Sequence, residues 1–124
     1  MVIALFDPKD VHHAAAAELV RDRRRAGSTF LIPASVLAEV LVGAHRQGQE
    51  TVARRRRQLR DAFGRPRVID EDVAVAAAEL RGRHPRLRPP DAFVVAVGIV
   101  DQAEEVLTAD KALAGVDERV RVVG

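Results

Sequence analysis

Residues 88–113 read RPPDAFVVAVGIVDQAEEVLTADKAL, and they place a helix and a strand in close succession. The two prolines at the start belong to His84–Pro90 (HPRLRPP), a segment expected as a loop because proline fits neither a helix interior nor a central strand. Asp91 then opens the wholly uncharged run Ala92–Val100, which reads as a buried helix. Val106–Thr108 reads as a strand and Ala109–Ala114 as a short turn of helix. Outward from this stretch the same alternation continues. Asp70 stands where it can cap a helix over Glu71–Arg83, and Gln49–Phe63 reads as a helix stopped by Gly64. Residues 34–47 put Val36, Leu37, Val40, Leu41 and Ala44 on one helical face. Segment 12–26 is an Ala-rich helix ending at Gly27, with Asp10 at its N-cap position. Thr29–Ile32, residues 67–69 and Val120–Val123 read as short strands. Strands alternating with helices predict an α/β domain whose parallel sheet carries any ligand at the carboxyl ends of its strands.

At 124 residues the chain has the size of one domain with one core. No uncharged run reaches the ~20 residues a membrane-spanning helix needs, and MVIALF has no basic residue to make it a signal peptide. There is no cysteine, which excludes disulfides, thiolate nucleophiles and cysteine-based zinc sites. A cytoplasmic protein without a membrane role is expected. The net charge of +2 hides a division: residues 21–88 carry sixteen arginines against eight acids, and both ends are acidic. Arginine suits bidentate phosphate binding, so the middle of the chain is a candidate polyanion surface.

The informative residues are acids that interrupt apolar stretches. Glu39 is the lone charge between Thr29 and Ala44, Asp91 opens the uncharged helix, and Asp110 closes the segment VLTAD. Buried lone carboxylates are costly and are normally neutralised, paired or bound to a cation. Taken singly, helix capping explains Asp91 and Asp110, and a salt bridge to a nearby arginine explains Glu39. Taken together, the three predict a carboxylate cluster, which needs a hard divalent cation to offset its repulsion.

Other features carry less. His12 and His13 are neighbours in sequence, so they point about 100° apart on a helix and cannot chelate one metal. The run Arg54–Arg57 spans a full helical turn and reads as a solvated face, with RNA or partner binding as the lesser alternative. Four phenylalanines without Trp or Tyr leave little for base stacking. No phosphate-loop pattern and no G-x-S-x-G is present.

The segments LIPASVLAEVLVG, RPPDAFVVAVG and VLTADKAL resemble the second, third and fourth acidic motifs of PIN domains, with order and spacing most similar to the small bacterial VapC-type toxins. The opening IALFDPKDVHHAA resembles the segment just after the first acidic motif in that family. The resemblance implies a three-layer α/β/α fold around a mainly parallel sheet. It also implies cleavage of RNA with Mg²⁺ or Mn²⁺, a cognate antitoxin that blocks the site, and a homodimer. Residue by residue, Glu39, Asp91 and Asp110 match the metal-site acids, and Thr108 matches the hydroxyl residue that precedes the last acid. The implied roles make Asp91 the principal ligand, Asp110 the residue completing the shell, and Glu39 a ligand or the group orienting the attacking water. Arginines from 54–67 and 81–88 would hold the RNA backbone.

One departure stands out. The family's first strand ends in an acid ahead of the helix that continues as I-A-L-F-D-P, and here the chain begins inside that helix. Residues 1–124 are thus expected to form a single PIN-like domain that lacks its first strand and first acid, with the true start upstream. The leading expectation is a metal-dependent endoribonuclease, the toxin of a type II toxin–antitoxin pair. The alternatives are a catalytically silent truncated module that binds antitoxin or RNA, and a DNA-binding regulator using the basic helix near 54–60.

Overall fold

A computed structural model describes residues 2–3 and 13–123. In chain order the elements are β1 (Val2–Ile3), α1 (His13–Arg25), α2 (Ala34–His45), α3 (Gln49–Phe63), α4 (Glu71–Arg83), α5 (Pro89–Val100), β2 (Val106–Thr108), a 3-10 turn (Lys111–Leu113) and β3 (Val120–Val122). The strands form a parallel sheet in the order β1-β2-β3, with Val106 opposite Val2 and Val120.

The central strand β2 is buried at every position, and its alternation divides the core. Val106 joins a cluster built from α2, α4 and α5, including Val36, Val73, Leu80 and Val95. Leu107 points the other way, into Ile32, Leu59 and Val123, with Leu19, Phe30 and Phe63 packed around them. Helices therefore cover both faces of the sheet, as the α/β/α reading anticipates.

Helix α5 lies innermost: Ala92, Val95, Ala96 and Val97 are wholly buried. A helix apolar on all sides is stable only when enclosed, and α4 and α2 on one side with β1 and β2 on the other enclose it. Its start shows why a loop over 84–90 extends too far. Pro89 and Pro90 are the first residues of α5, where a missing N–H leaves no bond unmade.

Several elements follow from local chemistry. Asp70 caps α4, its Oδ1 accepting from the Val73 amide at 3.0 Å. Gly27 ends α1 at φ +92°, so that the amides of Gly27 and Ser28 reach the carbonyls of Arg24 and Arg23, a Schellman closure. The expected N-cap Asp10 lies outside the described residues.

Three strand readings change. The opening residues, expected within a helix, instead supply the two-residue strand β1, since the parallel slot beside Val106 and Leu107 takes β-branched residues well. Thr29–Ile32 and residues 67–69 form no extended ladder. A parallel bridge joins Pro33 with Arg67, held by Arg67 N–H to the Ile32 carbonyl and Ala34 N–H to the Arg67 carbonyl, each 2.8 Å. Leu31 also takes a β-bridge, and the extended segment cannot run past Pro33 because α2 begins at the next residue.

Arg67 then fixes the far end of the helical layer. It donates to Asp101 at 2.8 and 3.0 Å, beyond the end of α5, and to Asp70 at 2.8 Å, at the start of α4. The Val73 amide, and then Arg67, hold the Asp70 carboxyl below its ordinary pKa. A depressed carboxylate adds stability above its unfolded pKa, and that stability is lost as pH falls through the folded value. The Asp70→Ala variant should melt a few degrees below wild type at pH 7, and the gap should close as pH drops below the ordinary carboxylate range. A gap that persists unchanged in acid contradicts the assignment. Leu80→Ala, which empties a site only 1% exposed, should cost about 2–5 kcal/mol in a urea titration.

Candidate active-site groove

Two of the singled-out acids meet where a parallel α/β sheet is expected to place a ligand, beyond the carboxyl end of its central strand. Thr108 is the last residue of β2 and is 2% exposed. Its Oγ1 accepts from the Asp110 amide at 3.0 Å, which turns the chain out of the sheet. Asp110 in turn caps the 3-10 turn, one carboxylate oxygen accepting from the Ala112 amide at 2.9 Å. Capping therefore does explain Asp110 locally, yet it uses only one oxygen.

Asp91 is not a cap. Arg88 occupies the N-cap position of α5, and Asp91 lies within the first turn, where the unpaired amides and the helix dipole favour an anion. Arg88 Nε stands 3.6 Å from Asp91 Oδ2. Even so, the Asp91 pKa is raised, first by burial and then by the charge of Asp110, and these outweigh Arg88. Both acids line one groove of about 720 Å³, bounded by the α4–α5 loop and the segment Ala112–Val116. Arg83, Arg86 and Arg88 line the same groove, and so does His84. An acidic centre thus sits inside a basic rim.

Glu39 does not join this pair. On α2 the arc carrying Val36 and Ala44 faces the core, and Glu39 lies on the exposed arc with Ala38 and Val42. Glu39 is not among the residues lining the groove, and among the described residues no group of three His, Cys, Asp or Glu could hold a metal ion. The salt bridge expected for Glu39 is also absent among the described residues, because an exposed glutamate needs no partner.

The arginines divide as well. Arg67 is bound to Asp70 and Asp101, and Arg81 donates to the Leu87 carbonyl at 3.1 Å, so both serve the fold. Arg54–Arg57 lie on α3, which packs on α2 away from the groove. Sequence reasoning gives His84 no role beyond its loop; its place between Arg83 and Arg86 is the available signal. His13 opens α1, and His12 lies outside the described residues.

If Asp110 raises Asp91 through charge, Asp110→Asn should move the Asp91 titration toward its ordinary value in metal-free buffer, followed by carboxyl ¹³C NMR. Asparagine keeps the cap, so the fold should persist. An Asp91 titration that does not move shows that burial alone accounts for the shift.

A family model for the PIN domain matches residues 1–119. Among solved structures, a toxin–antitoxin complex from Klebsiella pneumoniae contains a chain that superposes with a TM-score of 0.66 at 26% identity, over 88% of this chain and 92% of that one. No curated protein matches the chain. PIN domains are generally nucleases and typically use divalent metal ions. A match over nearly the whole length, on a parallel sheet with acids beyond its central strand, means that this chain belongs to the PIN-domain family.

Proposed function

We propose that the chain is a metal-dependent endoribonuclease acting as the toxin of a toxin–antitoxin pair. The observation that carries this reading is the pairing of Asp91 with Asp110 in one groove, two like charges in mutual repulsion beneath a rim of three arginines. The donor set fits a small, hard cation. Mg²⁺ is commonly held by only one or two carboxylates, its other positions being filled by water and substrate phosphate oxygens. Binding there would relieve the repulsion between the two acids and the burial penalty on Asp91.

When bound, such an ion supplies a Lewis acid and lowers the pKa of a coordinated water. The chain's own groups do the rest. Asp91 and Asp110 hold the cation, Thr108 fixes the turn that aims Asp110, and Arg83, Arg86 and Arg88 take the phosphates flanking the scissile bond. Glu39, exposed and outside the groove, has no part assigned in this reading. The antitoxin partner rests on the Klebsiella pneumoniae neighbour, which was solved in such a complex.

A second reading, a module that binds RNA or antitoxin without cleaving, draws on the same groove. Two acids rather than three converge among the described residues, which leaves the cation with fewer protein ligands.

The test uses end-labelled RNA with and without Mg²⁺ or Mn²⁺. Wild type should cleave only with the ion, and Asp91→Asn should lose at least about 100-fold in rate, the loss of a residue that holds transition-state charge in place. Cleavage by Asp91→Asn at the wild-type rate contradicts the proposed role. Wild type that binds RNA tightly but leaves it intact favours the binding module.

A further inference from the structure

Helix α3 carries a row of arginines that have no ion pair or hydrogen bond among the described residues and do not line the groove. Thr51 and Leu59 face inward and are buried, and Arg55 on the same side is half-buried. On the outer side Arg54, Arg57 and Arg60 recur at every third residue, all exposed, with Arg56 beside them. That spacing puts the three guanidinium groups along one stripe, about 4.5 Å of rise apart. Glu50 and Asp61 are the acids of the helix, yet among the described residues no carboxylate lies within ion-pair distance of these arginines. Like charges three and four positions apart weaken a helix. Glu50 and Asp61, four positions from Arg54 and Arg57, offset part of that repulsion, so the stripe adds little to the stability of the element that carries it.

We propose that the outer face of α3 is a second docking surface for the RNA backbone, remote from the groove, which engages nucleotides beyond those at the cleavage site. This rests on RNA being the substrate. Charge complementarity selects the occupant: closely spaced guanidinium groups match closely spaced phosphates, and arginine binds phosphate bidentately. A protein partner fits less well. Protein interfaces have an apolar centre, whereas the exposed residues beside these arginines include Ala53 and Gln58, and the exposed large hydrophobic residues Val42, Val68 and Val75 lie elsewhere. With aromatic residues at 3% of the chain, the contact is to phosphate rather than to stacked bases, so it adds affinity without reading sequence.

The test measures binding by fluorescence anisotropy in EDTA, with a 6-nucleotide and a 30-nucleotide single-stranded RNA, for wild type and the triple variant Arg54→Gln, Arg57→Gln, Arg60→Gln. The variant should bind the long RNA at least about 10-fold more weakly, and its slope of log K against log salt should be smaller by about 2, as expected for three lost phosphate contacts. Its affinity for the short RNA, and its rate of cleaving it, should match wild type. Its melting temperature should stay close to wild type, a result that a structural role for these arginines would not give. The triple lysine variant, which keeps the charge, should retain most of the long-RNA affinity. Equal affinity and slope for the long RNA in wild type and glutamine variant overturn the proposal, as does wild type that fails to bind RNA. Competition by polyglutamate as effective as competition by RNA overturns it too. Wild type that binds the long RNA through α3 but cleaves neither RNA sinks the nuclease reading and leaves this surface standing.

Discussion

The enclosure of α5 is the constraint on which the rest depends. An uncharged helix is stable only when other elements cover it on every side, and here α4, α2 and the sheet do so. Val94, Val95, Ala96 and Val97 have little helix preference of their own beyond alanine, so packing rather than propensity keeps this segment helical. Because α5 cannot shift without opening the core, its first turn is a fixed platform. Asp91 stands on that platform at the mouth of the groove, while Thr108 and Asp110 leave the sheet opposite it.

Electrostatics then separates the charged groups into those that hold the fold and those that remain available. Arg67, Arg81 and Arg23 are committed: they donate to Asp70 and Asp101, to the Leu87 carbonyl, and to Glu105. Among the described residues the groove arginines and those on the outer face of α3 have no such commitment, apart from the loose approach of Arg88 to Asp91. A chain of net charge +2 can thus present two basic surfaces, because sixteen of its arginines and only eight of its acids fall within residues 21–88.

Much of this is legible in the sequence, for identifiable reasons. Helix α3 ends where Gly64 places its stop and α4 begins where the Asp70 cap places its start, since such signals act locally. Strands β2 and β3 are visible as β-branched runs. Legibility fails where tertiary context decides. Pro89 and Pro90 read as loop although the first helical turn tolerates them. Thr29–Ile32 has the composition of a strand, but its bridging is confined to Leu31 and to Pro33 just beyond it, because α2 starts at once. The site is half legible: an acid in an apolar stretch flags Asp91, Asp110 and Glu39 alike, and composition cannot show that Glu39 lies on the exposed arc of α2. Which arginines are already engaged is also invisible, because the partners of Arg67 and Arg81 are set by the fold.

The central claim is that Asp91 and Asp110 together take a hard divalent cation, and Mn²⁺ added to ¹⁵N-labelled protein tests it directly. Substoichiometric Mn²⁺ should broaden the amide signals of Asp91, Ala92, Asp110 and Lys111, and excess Mg²⁺ should restore them. The amide of Glu39 should keep its intensity. Broadening centred on Glu39, or none near Asp91 and Asp110, contradicts the account.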